Sequence, residues 1–72
     1  LTFSNTPLSQ AFLLMQRQYA HVFKLDSVRT DLPTLTTTFD NVPLEAVLEE
    51  LNLLLNTKNV TRNDTVYFKP NN

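Results

Sequence analysis

The sequence predicts an α+β fold of order β-α-β-β-α-β-β, a pseudo-repeat with two helices packed between two small sheets. Three observations predict it. A shift of 36 positions lays Phe3-Ser4-Asn5-Thr6-Pro7-Leu8 over Phe39-Asp40-Asn41-Val42-Pro43-Leu44, with Phe, Asn, Pro and Leu in common. The positions beyond it match in type: Ala11 with Val47, Phe12 with Leu48, Met15 with Leu51 and Tyr19 with Leu55. Each copy then changes from period-two alternation to helical periodicity at its Pro-Leu step. Finally, both helices carry a wide apolar arc, which implies cover on two sides. Two copies are too few for a solenoid, which takes about three. Half-repeats 1–26 and 35–69 therefore combine into a single domain spanning 1–72.

The first strand holds Leu1 and Phe3 on one face, and its counterpart holds Leu35, Thr37 and Phe39. The first helix is expected from Pro7 to Ala20, with Leu8, Ala11, Phe12, Met15 and Tyr19 as its apolar stripe. The second is expected from Pro43 to Leu55, with Leu44, Val47, Leu48, Leu51, Leu54 and Leu55 as its stripe. Proline suits a first helical turn, where its missing N–H costs nothing. Thr6 can cap the first helix, and Asn41 is better suited than Val42 to cap the second. Leu13, Leu14 and Leu53 lie off the main lines and widen the arcs. Asn56 suits the left-handed position past a helix end, which matters in a chain without glycine. His21 to Asp26 forms a strand with Phe23 and Leu25 on one face, and Ser27 to Pro33 connects the halves. A closing hairpin runs from Lys58 to Arg62, turns at Asn63-Asp64, and returns from Thr65 to Lys69. Val66 and Phe68 point one way along it; Thr65, Tyr67 and Lys69 point the other.

Composition narrows the function. A chain of 72 residues buries only about 60% of its unfolded surface, so its core is thin. It has no cysteine for disulfides and a single histidine, His21, which argues against a structural zinc site. The 42% apolar content leaves packing as the source of stability. Net charge is −1, and Arg17, Lys24, Arg29, Lys58, Arg62 and Lys69 are dispersed along the chain, so nucleic-acid binding finds no support. The absence of glycine removes phosphate-cradling loops and the glycine motifs of common RNA-binding sheets and clamps. No apolar run approaches the ~18–20 residues that span a bilayer, and no signal peptide is visible. The start at Leu1 reads as a fragment of a longer protein, and the polar ending after Pro70 reads as a chain terminus.

No residue set looks catalytic. Ser9, His21 and Asp26 are the ingredients of a triad, but their spacing does not recommend one. Glu45 and Glu49 share a helix face and read as a solvated acidic face near a helix N-terminus. His21 reads as a strand-start residue, and Tyr19, Phe3, Phe12, Phe23, Phe39 and Phe68 as core. The triplets Asn59-Val60-Thr61 and Asn63-Asp64-Thr65 read as coincidences of an Asn- and Thr-rich hairpin. No catalytic residue, metal, cofactor or small-molecule ligand is expected.

The string Leu1-Thr2-Phe3-Ser4-Asn5-Thr6-Pro7-Leu8-Ser9-Gln10-Ala11-Phe12 resembles the start of the C-terminal domain of FecR-like anti-sigma factors of Bacteroidetes-type bacteria. Residues Thr38 to Leu51 resemble that domain's second half, and Asp64-Thr65-Val66-Tyr67-Phe68 its closing strand. Asn56 stands where family members often carry glycine. The repeat is also similar to the short N-terminal domain of secretins and TonB-dependent receptors, whose helices lie between a two-stranded and a three-stranded sheet. The resemblance implies the periplasmic part of an inner-membrane protein. Its partner would be the signalling domain of a TonB-dependent outer-membrane receptor, and its output control of an extracytoplasmic-function sigma factor. The alternatives are the receptor's own signalling domain and a ring-forming secretin domain. Short sheets leave edges open to a partner, and Tyr and Arg are enriched at interface hot spots. The closing hairpin is therefore the expected contact, with Arg62, Thr65, Tyr67 and Lys69 as the candidate partner-binding residues.

Overall fold

A computed structural model describes residues 1–26 and 32–71. Seven elements follow one another in the predicted order: β1 (Thr2–Pro7), α1 (Leu8–Tyr19), β2 (Val22–Leu25), β3 (Thr34–Thr38), α2 (Leu44–Leu55), β4 (Thr57–Arg62) and β5 (Thr65–Pro70). Most of the connection read at Ser27–Pro33 lies outside the described residues. Pro70 extends β5 rather than stopping it, because it faces Thr57 at the end of the ladder.

The repeat is a symmetry of the fold. β1 and β3 pair antiparallel, with Thr2 facing Thr38 and Phe3 facing Thr37. Leu1 and Phe39 exchange two backbone hydrogen bonds, each 2.8 Å long. A shift by one repeat turns the Phe3–Thr37 pair into the Leu1–Phe39 pair. The halves thus meet about a pseudo-two-fold axis near Thr2 and Thr38, as identical subunits meet in an isologous dimer. The repeat partners Phe3 and Phe39 touch edge-on, with ring centroids 6.1 Å apart. A bulge between Phe3 and Thr6, holding Asn5 at φ 48°, gives β1 one extra residue against β3.

The second sheet has the order β2-β5-β4. β5 runs parallel to β2 and antiparallel to β4. β2 and β4 are counterparts in the repeat, so they run in opposite directions, and β5 fills the gap between them. Among the described residues of the first half, β5 has no counterpart.

One core serves both halves. α1 buries Leu8, Ala11, Phe12 and Met15, and α2 buries Val47, Leu48, Leu51 and Leu55. The strands and their ends add Phe3, Phe23, Leu35, Phe39, Val66 and Phe68. Phe12 stacks on Phe68 at 5.5 Å, and Phe23 meets both rings edge-on. α1 contacts β2 on one side and β1 and β3 on the other. α2 lies against β4, and its Glu50 accepts a 3.3 Å hydrogen bond from Thr37 of β3. The helices do lie between the sheets, but the wide apolar arc is not the reason. Leu13, Leu14 and Leu54 are exposed, and Leu53 is 80% exposed. A stripe at i, i+3, i+4 and i+7 is enough to meet both sheets.

Neither helix has the predicted cap. Pro7 and Pro43 occupy the N-cap positions, and no side chain caps either end. Thr6 instead accepts from the Ser4 N–H at 3.2 Å. The residue before a proline is held extended, which leaves Asn5 and Asn41 two residues short of their helices. There they turn the chain with φ of 48° and 55°. Past the helices, Ala20 and Asn56 are left-handed at φ 54° and 55°, donating to the Gln16 and Asn52 carbonyls. The left-handed residues therefore fall in repeat-related pairs, 5 with 41 and 20 with 56, and Asn63 of the hairpin turn stands outside them. Asparagine takes four of these five positions in a chain with no glycine. Asn56 sits as the sequence predicts; Ala20 is unforeseen.

Candidate functional site

β5, which has no repeat counterpart among the described residues, carries three of the four predicted site residues, and β4 carries Arg62. Along β5, Val66 and Phe68 are buried while Thr65, Tyr67 and Lys69 are half-buried on the outer face. β4 places Arg62 opposite Thr65, Val60 opposite Tyr67 and Lys58 opposite Lys69. β2 places Val22 beside Thr65 and Lys24 beside Tyr67. Asp26 follows directly, its N–H donating to the Phe68 carbonyl at 2.8 Å. Tyr67 thus stands at the centre of a face three strands wide, flanked by Lys24 and Val60, with Thr65 and Lys69 along its own strand. Asp26, Arg62, Tyr67 and Lys69 line a shallow depression on it.

The four candidate residues Arg62, Thr65, Tyr67 and Lys69 therefore share one face. Lys24, Lys58, Val22, Val60 and Asp26 complete that face, and sequence reasoning missed them. Alternation already placed Lys24 opposite Phe23 and Leu25. What the sequence lacked was the strand order that sets Lys24 beside Tyr67.

The position is mechanically tied. Asn63 turns the hairpin at φ 56°, and the Val22 N–H donates to the Asp64 carbonyl at 2.8 Å, fixing the turn against β2. Repeat positions 16 and 52 anchor each helix to its following strand. Gln16 accepts from the Phe23 N–H at 3.3 Å. Asn52 donates to Asn59 at 2.7 Å and accepts from the buried Thr57 hydroxyl at 2.9 Å. The groove between α2 and β4 is lined by these satisfied groups.

The triad ingredients are not brought together. Ser9 lies at the start of α1 and His21 beyond its end, so a helix roughly 18 Å long separates them at 1.5 Å per residue. His21 Nδ1 lies 2.7 Å from the Tyr19 carbonyl and donates to it. Glu45, Glu49 and Glu50 are exposed on α2. Among the described residues, no group of three or more His, Cys, Asp or Glu could hold a metal. The five phenylalanines are buried as predicted, and the half-buried Tyr19 donates its hydroxyl to the Val42 carbonyl at 2.7 Å. The arrangement offers hydrogen-bonding, charged and aromatic groups on one face of a three-stranded sheet.

No family model matches the chain, and no curated protein matches it. Two solved structures do, both crystal structures of a candidate anti-sigma factor from Parabacteroides distasonis, at 1.65 and 2.50 Å resolution. They align over the whole chain with TM-scores of 0.84 and 0.83 at 22% sequence identity. The chain spans 34% of the length of those proteins. At that identity the likeness shows the fold alone: the chain folds like about a third of that Parabacteroides protein.

Proposed function

We propose that this chain is a non-enzymatic protein–protein interaction module of a transmembrane anti-sigma factor of the FecR-like kind. In this reading it belongs to the periplasmic part of an inner-membrane protein. It senses the signalling domain of a TonB-dependent outer-membrane receptor and so regulates an extracytoplasmic-function sigma factor. The observation that carries the reading is the fit of the whole chain onto about a third of a candidate anti-sigma factor. The repeated Phe-x-Asn-x-Pro-Leu and its likeness to the FecR-like domain support the same family. A central aromatic ringed by charged side chains also supports a protein partner, since interfaces concentrate their energy on such anchors. Among the described residues no helix is long and apolar enough to cross a membrane; in this reading the anchor lies elsewhere in the longer protein.

Calorimetric titration of the chain with the signalling domains of its source bacterium's TonB-dependent receptors tests this. One of them is expected to bind saturably at one-to-one stoichiometry. Deleting the chain from the full-length protein is expected to uncouple sigma-dependent transcription from the receptor's inducer. Binding to none of them, with an unchanged inducer response after deletion, would overturn the reading.

A further inference from the structure

We infer that the outer face of the β2-β5-β4 sheet docks an acidic protein surface, using Lys24, Lys58, Arg62 and Lys69 around Tyr67. This rests on the reading of the chain as a binding module and adds the chemistry of its partner.

Four of the chain's six Lys and Arg residues meet on this face, although they are dispersed in the sequence. Among the described residues, Asp26 is the one carboxylate with them. Four cations against one carboxylate give the face +3, which leaves −4 for the rest of a chain whose net charge is −1. Among the described residues, none of the four cations is held in an ion pair. Lys58 and Lys69 sit directly opposite each other across β4 and β5. Like charges in that register destabilise a sheet. An acidic partner removes the repulsion, so the pairing makes sense as a feature that serves binding rather than folding.

The surroundings select a protein over other polyanions. Nucleic-acid surfaces align several stacking aromatics along a basic track, whereas this face has one aromatic, Tyr67. Stable membrane attachment takes a second signal beside a basic patch, a lipid chain or an inserted apolar anchor, and this face presents no large apolar side chain besides Val22, Val60 and the ring of Tyr67. Here Val22, Val60 and Thr65 alternate with the charges across the sheet. An aromatic centre surrounded by mixed apolar and charged side chains is protein-interface anatomy. Asp26 at one corner gives the face polarity and orients a partner that presents a cation there.

The test is an amide NMR titration of the 72-residue chain with a ten-residue polyglutamate peptide, in low and in physiological salt. Ten-residue oligothymidylate and phosphatidylglycerol vesicles serve as comparison anions. Shifts are expected at residues 22–26, 58–62 and 65–69, with affinity at least about tenfold weaker at the higher salt, where screening shortens to roughly 8 Å. Lys58→Glu/Lys69→Glu is expected to abolish them and Arg17→Glu, on exposed α1, to leave them unchanged. Should the charge reversal unfold the sheet, Lys58→Gln/Lys69→Gln reads the same loss. No shifts, shifts confined to the helices, or an equal or stronger response to oligothymidylate or vesicles would overturn the inference. So would dilution-dependent shifts on this face without peptide, since they make a second copy the occupant. If the peptide fails while a receptor domain still binds, the acidic-partner inference falls and the binding-module reading stands. If the peptide binds here and no receptor domain does, the reverse holds.

Discussion

The first half of the molecule ends its helix on Ala20 and the second ends its helix on Asn56, yet both residues hold the same left-handed backbone at φ 54° and 55°. The same contrast recurs at positions 16 and 52, where Gln16 reaches a backbone N–H and Asn52 reaches two side chains to secure the next strand. Met15 and Leu51 are both fully buried despite their different shapes. The repeat thus preserves geometry and burial, and lets side-chain chemistry drift wherever another residue can hold the same conformation. The halves differ most where function is expected. Among the described residues, only the second half adds a further strand, β5, which closes the three-stranded sheet and presents Tyr67 and Lys69.

The two halves depend on each other most strongly at the core. Phe68→Ala removes the ring that stacks on Phe12 and meets Phe23, and is expected to cost about 3–5 kcal/mol. The matched changes Met15→Ala and Leu51→Ala are each expected to cost about 2–5 kcal/mol. Because one core cluster serves both halves, urea unfolding of each variant should remain a single transition. A biphasic curve would show that the halves are independent. A smaller effect sharpens the comparison at the helix ends. A left-handed alanine is disfavoured by roughly 1–2 kcal/mol, and asparagine relieves much of that. Ala20→Asn is therefore expected to stabilise by about 1 kcal/mol and Asn56→Ala to destabilise by about as much, read as opposite shifts in melting temperature. Equal signs would mean that the two ends are not equivalent.

Much of this was legible in the sequence. The doubled motif and its two periodicities were enough to order all seven elements and to pick the buried stripes. The helix starts were legible to within one residue, but the caps were not: Thr6 bonds back to the Ser4 N–H instead, and Asn41, two residues before a proline, reads equally as a cap or as a left-handed turn. The exposed Leu13, Leu14, Leu53 and Leu54 misled, since apolar character alone does not bury a side chain in so small a core. The site was half legible. Strand alternation put Thr65, Tyr67 and Lys69 on one face and Arg62 near them. The gathering of Lys24 and Lys58 depends on β5 inserting between β2 and β4, a long-range pairing that no local pattern encodes.

The central claim is that the outer face of the β2-β5-β4 sheet is where this chain meets its partner. The most direct test is the affinity of a Tyr67→Ala/Arg62→Ala variant for the receptor signalling domain that binds the unaltered chain. Loss of an aromatic and an arginine hot spot of about 2 kcal/mol or more predicts binding weaker by at least tenfold, with cooperative melting retained. An affinity equal to that of the unaltered chain would contradict the account.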